Sequence, residues 1–385
     1  MRVLPLRGTV QHYAWGSRTA LAAWRGRPPS GEPEAELWFG DHPRGTAVVD
    51  LDGREISLAA LVAKAPDEVL GRRVVRRFGP RLPFLLKVLA VEEPLSIQAH
   101  PDSRQARAGF EREEAAGIAR NAPERCYPDP NPKPELVVAL RSFEVLCGFR
   151  APEAIARTLA LLELPDLAAA SGAGGLEGLF REWFGEATPH RIERAVAAAR
   201  RAPPGDPALA WIDRLAALHP ADPGVLAPAF LHRVTLRPGQ GLFLGPGVPH
   251  AYLSGLAVEV MASSDNVLRA GLSRKHVDLA ELGRVLRFEA GTPAVVEAVP
   301  RAPGEAVFAT PAGSFELSVL EADTSPRIAA GSGVSILLCT EGRVRVLGDA
   351  AGAVELETGS SCLVPDSTGC RLEGLGRVHR AAVPA

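Results

Sequence analysis

Short apolar runs cut by Gly and Pro dominate the first hundred residues, as in ELWFGDHP and GTAVVDLDG. Such runs predict strands joined by tight turns. The run LPFLLKVLAVEEPLSIQAH predicts buried strand, stopped at Pro101-Asp102. PDSRQARAGFEREEAAGIARN then predicts a helix beginning after Pro101, with acids and arginines on its surface. PERCYPDPNPKPE carries five prolines, which excludes helix and central strand and predicts an ordered loop leading into the strand ELVVAL. From about 151 to 220 the period changes. Ile155, Leu159 and Leu162 fall at helical spacing, as do Ile192 and Val196, so three or four helices are expected. Strand signals return at about 228 in FLHRVTLRPGQGLFLGPGVPHAYL and persist through FELSVLEA, GVSILLCTEGRVRVLG and AVELETGSSCLVP.

The late strands echo earlier ones. RPGQGLFLGPGVPHAY and ETGSSCLVPDSTGCRL share a Gly turn, a short apolar strand, a Pro and another strand. The pattern predicts a mainly β fold: two β-barrel domains of the cupin or jelly-roll type with an inserted α-helical domain. The expected limits are 1–150 with 223–300 for the first barrel, 151–222 for the helical insert and 301–385 for the second barrel. Cys370 stands in the second barrel where His250 stands in the first, and His379 is the one histidine left in that half. The second barrel is therefore expected to carry no metal ligands.

Composition narrows the class. At 385 residues, 46% hydrophobic and a net charge of −2, the chain fits a soluble globular protein of two or three domains. No basic stripe or zinc-finger spacing points to nucleic acid, and no apolar run is long enough to span a bilayer. The N-terminus lacks a signal-peptide core. Five cysteines, odd in number and without a C-x-x-C pair, argue against a disulfide framework and for a reducing cytoplasm. Only Lys64, Lys87, Lys133 and Lys275 are lysines among 43 basic residues, and three of them lie in the blocks named below. The oligomeric state is not legible, with a monomer as the default.

Gln98 and His100 are two apart, so on a strand they share a face. With Glu135 in NPKPELVV and His250 in GVPHAYLSG, they offer an amide oxygen, a carboxylate and two imidazoles. That donor set suits one Zn²⁺, with manganese, iron or cobalt as alternatives.

Several blocks in the same order carry a family resemblance: YAWGS, ELWFGDHP, LPFLLKVLAVEEPLSIQAHPD, NPKPELVVAL, FEVLCGFR, GVPHAYLSG and VEVMASSDNVLRAGLSRKHVD. The chain resembles the type I mannose-6-phosphate isomerases, strongly over about 10–150 and 228–278. The resemblance implies that Gln98, His100, Glu135 and His250 hold zinc. It implies interconversion of mannose 6-phosphate and fructose 6-phosphate by proton transfer between C2 and C1 through a cis-enediolate. Arg269 matches the arginine expected at the reacting carbons, and His42 matches a histidine suited to ring opening. Lys87 and Lys275 match positions near the substrate phosphate, with Ser96 joining them from the face that bears Gln98. Tyr252 would share a face with His250. Glu259, in the apolar run VEVM, and Lys133, two residues before Glu135, both remain open as the C1/C2 base. Pro132 departs from the polar residue common before this lysine and stiffens the loop.

Two other classes compete. A cupin-type metal oxygenase would have little use for Lys87, Lys275 and Arg269 together. A silent sugar-phosphate sensor would not need the proton-transfer candidates.

Overall fold

In the computed structural model, described over residues 1–384 apart from 52, 203–205 and 350–351, two antiparallel sheets of ten and eleven strands pack face to face. The apolar alternation sets this arrangement. Along the Phe84–Val91 strand every residue is buried. Leu86, Val88 and Ala90 enter the core between the sheets, together with Leu136, Val138, Val258 and Val260. Ile336, Leu338, Leu363 and Ala381 meet them from the other sheet. The alternate residues Leu89 and Val91 turn inward with Val137, Ala139, Val145 and Tyr252, lining the interior of the first sheet. A strand buried on both faces reads as a continuous apolar run, which is how LPFLLKVLAV reads.

The expected barrels do not close. The edge strands of the ten-stranded sheet, Thr9–Gln11 and Val295–Val296, have three and two residues and do not pair with each other. Edges this short offer too few ladder bonds to seal a barrel. Long strands curve instead. His250–Ala262 pairs with Phe84–Val91, with Ile97–Ala99 and with Glu135–Phe149, and its register shifts twice. The eleven-stranded sheet also takes in the N-terminal strands: Leu4–Arg7 lies between Ser361–Val364 and Val48–Leu51.

Among the described residues of 151–220, helix covers Pro152–Leu161, Pro165–Trp183, Thr188–Arg201 and Pro207–Leu218, with the second broken by a kink at Gly175. Their apolar faces pack against Ile97, Ala99, Leu146, Ala251, Leu253 and Leu268. These are the outward neighbours of Gln98, His100 and His250, so the insert buttresses the strands that carry the candidate ligands. Ahead of it, Ser103–Ala115 forms the expected helix, closed by a capping box between Asp102 and Gln105. The five-proline segment has no helix or strand of its own.

Gly255 marks one of the two register shifts. Its φ is +123°, and a Cβ there would stand 2.3 Å from the Ser142 carbonyl oxygen. Gly255→Ala is expected to destabilise the protein by about 1–3 kcal/mol. The check is a lower urea midpoint at unchanged m-value.

Candidate metal centre and active site

Three side chains from three strand ends meet at one point. His100 follows the Ile97–Ala99 strand, Glu135 opens Glu135–Phe149, and His250 opens His250–Ala262. His100 Nε2 lies 3.4 Å from Glu135 Oε1, and His250 Nε2 lies 3.3 Å from Glu135 Oε2. All three residues are 2% exposed or less.

Backbone carbonyls set both imidazole tautomers. His100 Nδ1 is 2.8 Å from the Asn266 carbonyl oxygen, and His250 Nδ1 is 3.0 Å from that of Val248. A carbonyl can only accept, so each Nδ1 carries the proton and each Nε2 presents a lone pair. Burial, reinforced by Lys133, lowers the His100 pKa to about 4, which keeps that ring neutral. Burial opposes the charge on Glu135, but Lys133 and the imidazoles outweigh it and hold its pKa well below the usual range.

Lone pairs therefore face a carboxylate. His100 Nε2, His250 Nε2 and Glu135 Oε2 are buried atoms without a hydrogen-bond partner. Orphaned buried acceptors are costly, and three converging ones need a cation. Ligands about 2.0–2.2 Å from a tetrahedral ion stand roughly 3.3–3.6 Å apart, which these separations match. His100, Glu135 and His250 thus form a group that can hold a metal ion. Gln98 stands opposite His250 in the strand ladder and opposite Arg269 on the other side.

The remaining expected residues gather unevenly. Lys133 Nζ is 2.8 Å from Glu135 Oε1 and nearly buried. Tyr252 shares the inward face with His250, and its hydroxyl donates to Glu259 Oε1 at 2.6 Å. Burial, offset by Lys87, raises the Glu259 pKa, and burial beside Glu259 raises that of Tyr252. Lys87, expected near a phosphate, is enclosed between two carboxylates. Its Nζ is 3.2 Å from Glu259 Oε2, 3.4 Å from Glu36 Oε2 and over the Trp38 ring. Burial works against its charge, but Glu36 and Glu259 outweigh that and raise its pKa. His42 is buried with both ring nitrogens engaged: the Arg44 backbone N–H donates to Nδ1, and Nε2 faces Asp265 Oδ2 at 3.2 Å.

Arg269 and Lys275 differ from these. Among the described residues no carboxylate pairs with either, so their charges remain free for an anion. Burial lowers the Arg269 pKa. Lys275 is an exposed residue whose pKa is lowered by partial desolvation and by Arg269 and Arg44. Ser96 is half-buried on the strand approach to Gln98. Two surface cavities, of about 340 and 370 Å³, lie elsewhere and touch none of these residues.

Three residues of this region escape a reading from sequence. Glu36 is the second partner of Lys87. Asp265 is gripped by His42 and Arg44. Asn266 is fully buried; its carbonyl orients His100, while its amide donates to the Asp129 and Asn131 carbonyls of the proline-rich loop at 2.7 Å. The one available signal was their polarity inside otherwise apolar blocks, ELWFGDHP and VEVMASSDNVLRAG.

A curved β framework with a buried two-histidine, one-carboxylate centre and free cations beside it defines a metal-binding enzyme of the mainly β, cupin-like kind. Residues 3–152 match the family model described as phosphomannose isomerase type I, catalytic domain. The mannose-6-phosphate isomerase of Escherichia coli (strain K12) is 36% identical over 392 residues, covering 97% of this chain and 98% of that protein. The Homo sapiens mannose-6-phosphate isomerase is 36% identical over 324 residues, covering 74% and 73%. A solved mannose 6-phosphate isomerase, holo with zinc bound, superposes with a TM-score of 0.91 at 36% identity over the full length of both chains. The chain belongs to the type I phosphomannose isomerases.

Lys87 between Glu36 and Glu259 makes a firm demand on stability. Lys87→Ala strands two buried carboxylates and is expected to cost about 3–5 kcal/mol, read as a lower melting temperature. Asp265 gives a pH dependence. Burial would raise its pKa, but the His42 hydrogen bond and the charges of His42 and Arg44 prevail and bring it to about 2. A depressed folded pKa contributes stability above the unfolded value, near 3.9, and loses it as pH falls through the folded one. The stability gap between wild type and Asp265→Asn is therefore expected to narrow between about pH 4 and pH 2 in acid-unfolding titrations.

Proposed function

We propose that the chain interconverts mannose 6-phosphate and fructose 6-phosphate at a zinc ion held by Gln98, His100, Glu135 and His250. The observation that carries this reading is the convergence of three unsatisfied buried ligand atoms in a member of this family. The bound ion supplies Lewis acidity and a fixed point for the sugar oxygens next to the reacting carbons.

The chain's own residues do the rest. The phosphate is held by Lys275 and Ser96 at the open side of the site, where no carboxylate among the described residues forms an ion pair with the Lys275 ammonium. His42, working with Asp265, assists opening of the sugar ring. Lys133 carries the proton between C2 and C1, because of the two base candidates, Lys133 and Glu259, it is the one paired with a metal ligand, Glu135. Glu259 has one oxygen on Tyr252 and the other on Lys87, and serves as the anchor that fixes Tyr252 as a wall of the pocket. Arg269, beside Gln98 in the ladder and without a counter-charge, faces the oxyanion of the cis-enediolate. The charge balance suits this chemistry. With Lys133 neutral as the base, Glu36, Glu135 and Glu259 outnumber Lys87 by two, and a divalent ion cancels that deficit so that Arg269 and Lys275 can attract a sugar phosphate.

Lys133→Arg keeps the charge and removes the ability to give up a proton. Turnover of mannose 6-phosphate is expected to fall about 10²–10⁴-fold with the metal retained. Near-normal turnover in that variant, with a collapse in Glu259→Gln, would transfer the base role to Glu259. His250→Ala is expected to lose both metal and activity. A metal-replete wild-type protein that leaves mannose 6-phosphate unchanged would overturn the function itself.

A further inference from the structure

A second set of ligand-bearing side chains meets away from the centre described above. Cys126 Sγ, a His276 ring nitrogen and an Asp278 carboxylate oxygen lie within 4.8 Å of one another. They come from two segments: the loop after the Ser103–Ala115 helix, and the SRKHVD stretch leading into the Leu279–Val285 helix. We propose that Cys126, His276 and Asp278 form a second divalent-metal site, of the zinc class, at the rim of the catalytic pocket.

The two segments are held in register without a metal. Glu113 accepts from the Cys126 and Tyr127 backbone N–H groups at 2.9 and 2.8 Å, and Arg125 braces Glu113 at 3.0 Å. Tyr127 donates its hydroxyl to Glu281 Oε1 at 2.7 Å. Glu281 in turn donates its backbone N–H to Asp278 Oδ1 at 2.9 Å, which leaves Oδ2 available. Cys126 and Asp278 are thus fixed relative to each other by Tyr127 and Glu281. His276 is exposed, and its ring has no hydrogen-bond partner among the described residues.

A thiolate, an imidazole and a carboxylate are zinc-type donors, and cobalt(II) and cadmium share the preference. Tetrahedral ligation brings such donors to roughly 3.3–3.8 Å from one another. Closing three atoms that lie within 4.8 Å of one another to that spacing takes a shift of about an ångström, shared between the exposed His276 ring and the Cys126 and Asp278 side-chain rotamers. The metal–sulfur bond forms as the Cys126 thiol proton leaves to solvent, and a water completes the fourth position. Arg269 is close enough to influence the charge of both Cys126 and Lys275. Occupancy would therefore tie down the segment bearing Lys275 and place a divalent charge near Arg269.

The test uses the zinc-loaded holoenzyme titrated with cobalt(II). The first centre contains no sulfur, so a near-ultraviolet thiolate-to-cobalt band reports the second site alone. The band is expected in wild type and expected to vanish in Cys126→Ser and in His276→Ala. His276 is exposed, so its replacement leaves the fold intact. Asp278→Asn, which keeps the helix cap, should weaken cobalt binding. Excess zinc should raise the KM for mannose 6-phosphate in wild type but not in His276→Ala. Absence of the band at saturating cobalt, or its survival in His276→Ala, would overturn the site. Neither result bears on the first centre, whose occupancy is followed by its own metal content.

Discussion

The constraint on which the structure depends is the unmet demand of His100 Nε2, His250 Nε2 and Glu135 Oε2. Each belongs to a residue removed from water, and none has a hydrogen-bond donor. The fold tolerates this because three strand ends are held rigidly enough to prevent escape. The helical insert packs behind Ile97, Ala99, Ala251 and Leu253, so neither histidine can withdraw. The Asn266 and Val248 carbonyls lock the imidazole tautomers that aim lone pairs inward. A fold that keeps its acceptors so exposed to one another is pre-arranged for a cation, in keeping with the zinc-bound relative.

Around that point lies a band of buried charge. Glu36, Lys87 and Glu259 are neighbours across adjacent strands: Lys87 stands opposite Glu259 on one side and Trp38 on the other. Such a chain is expensive to bury and is held by mutual pairing rather than by solvent. It accounts for a lysine in the middle of LPFLLKVLAV. Arg269 and Lys275 form no ion pair among the described residues, and this separates them from the charges that are spent on one another in the interior.

The two halves of the molecule show how much of this is scaffold. Gly241–Leu244 and His250–Ala262 have the same lengths and the same connecting turn as Ser361–Val364 and Cys370–Ala382. Each long strand pairs with a long partner, Glu135–Phe149 in one sheet and Ser335–Gly348 in the other. In the second half Cys370 occupies the place of His250, packed among Ile328, Val346 and Leu372. The repeated framework thus serves packing there and chemistry only in the first half, and the weak echo between the two turn-strand segments is its trace.

Local pattern determined the strands, the helical character of the insert, the helix after Pro101 and the loop of five prolines, because alternation, helical period and proline act within a few residues. The ligand group was legible for a different reason: metal donors are few in kind, and His100, Glu135 and His250 stood inside ordered blocks. What only the tertiary structure decided is how distant strands share one interior. Sheet closure depends on the lengths of edge strands that meet only in space, and these are too short to seal. The partners of Lys87 and His42 depend on cross-strand register, which brings Glu36, Glu259 and Asp265 to them over separations that no local pattern records. A side chain's chemistry is written in its type, but whether its charge is free or spent depends on what the fold places beside it.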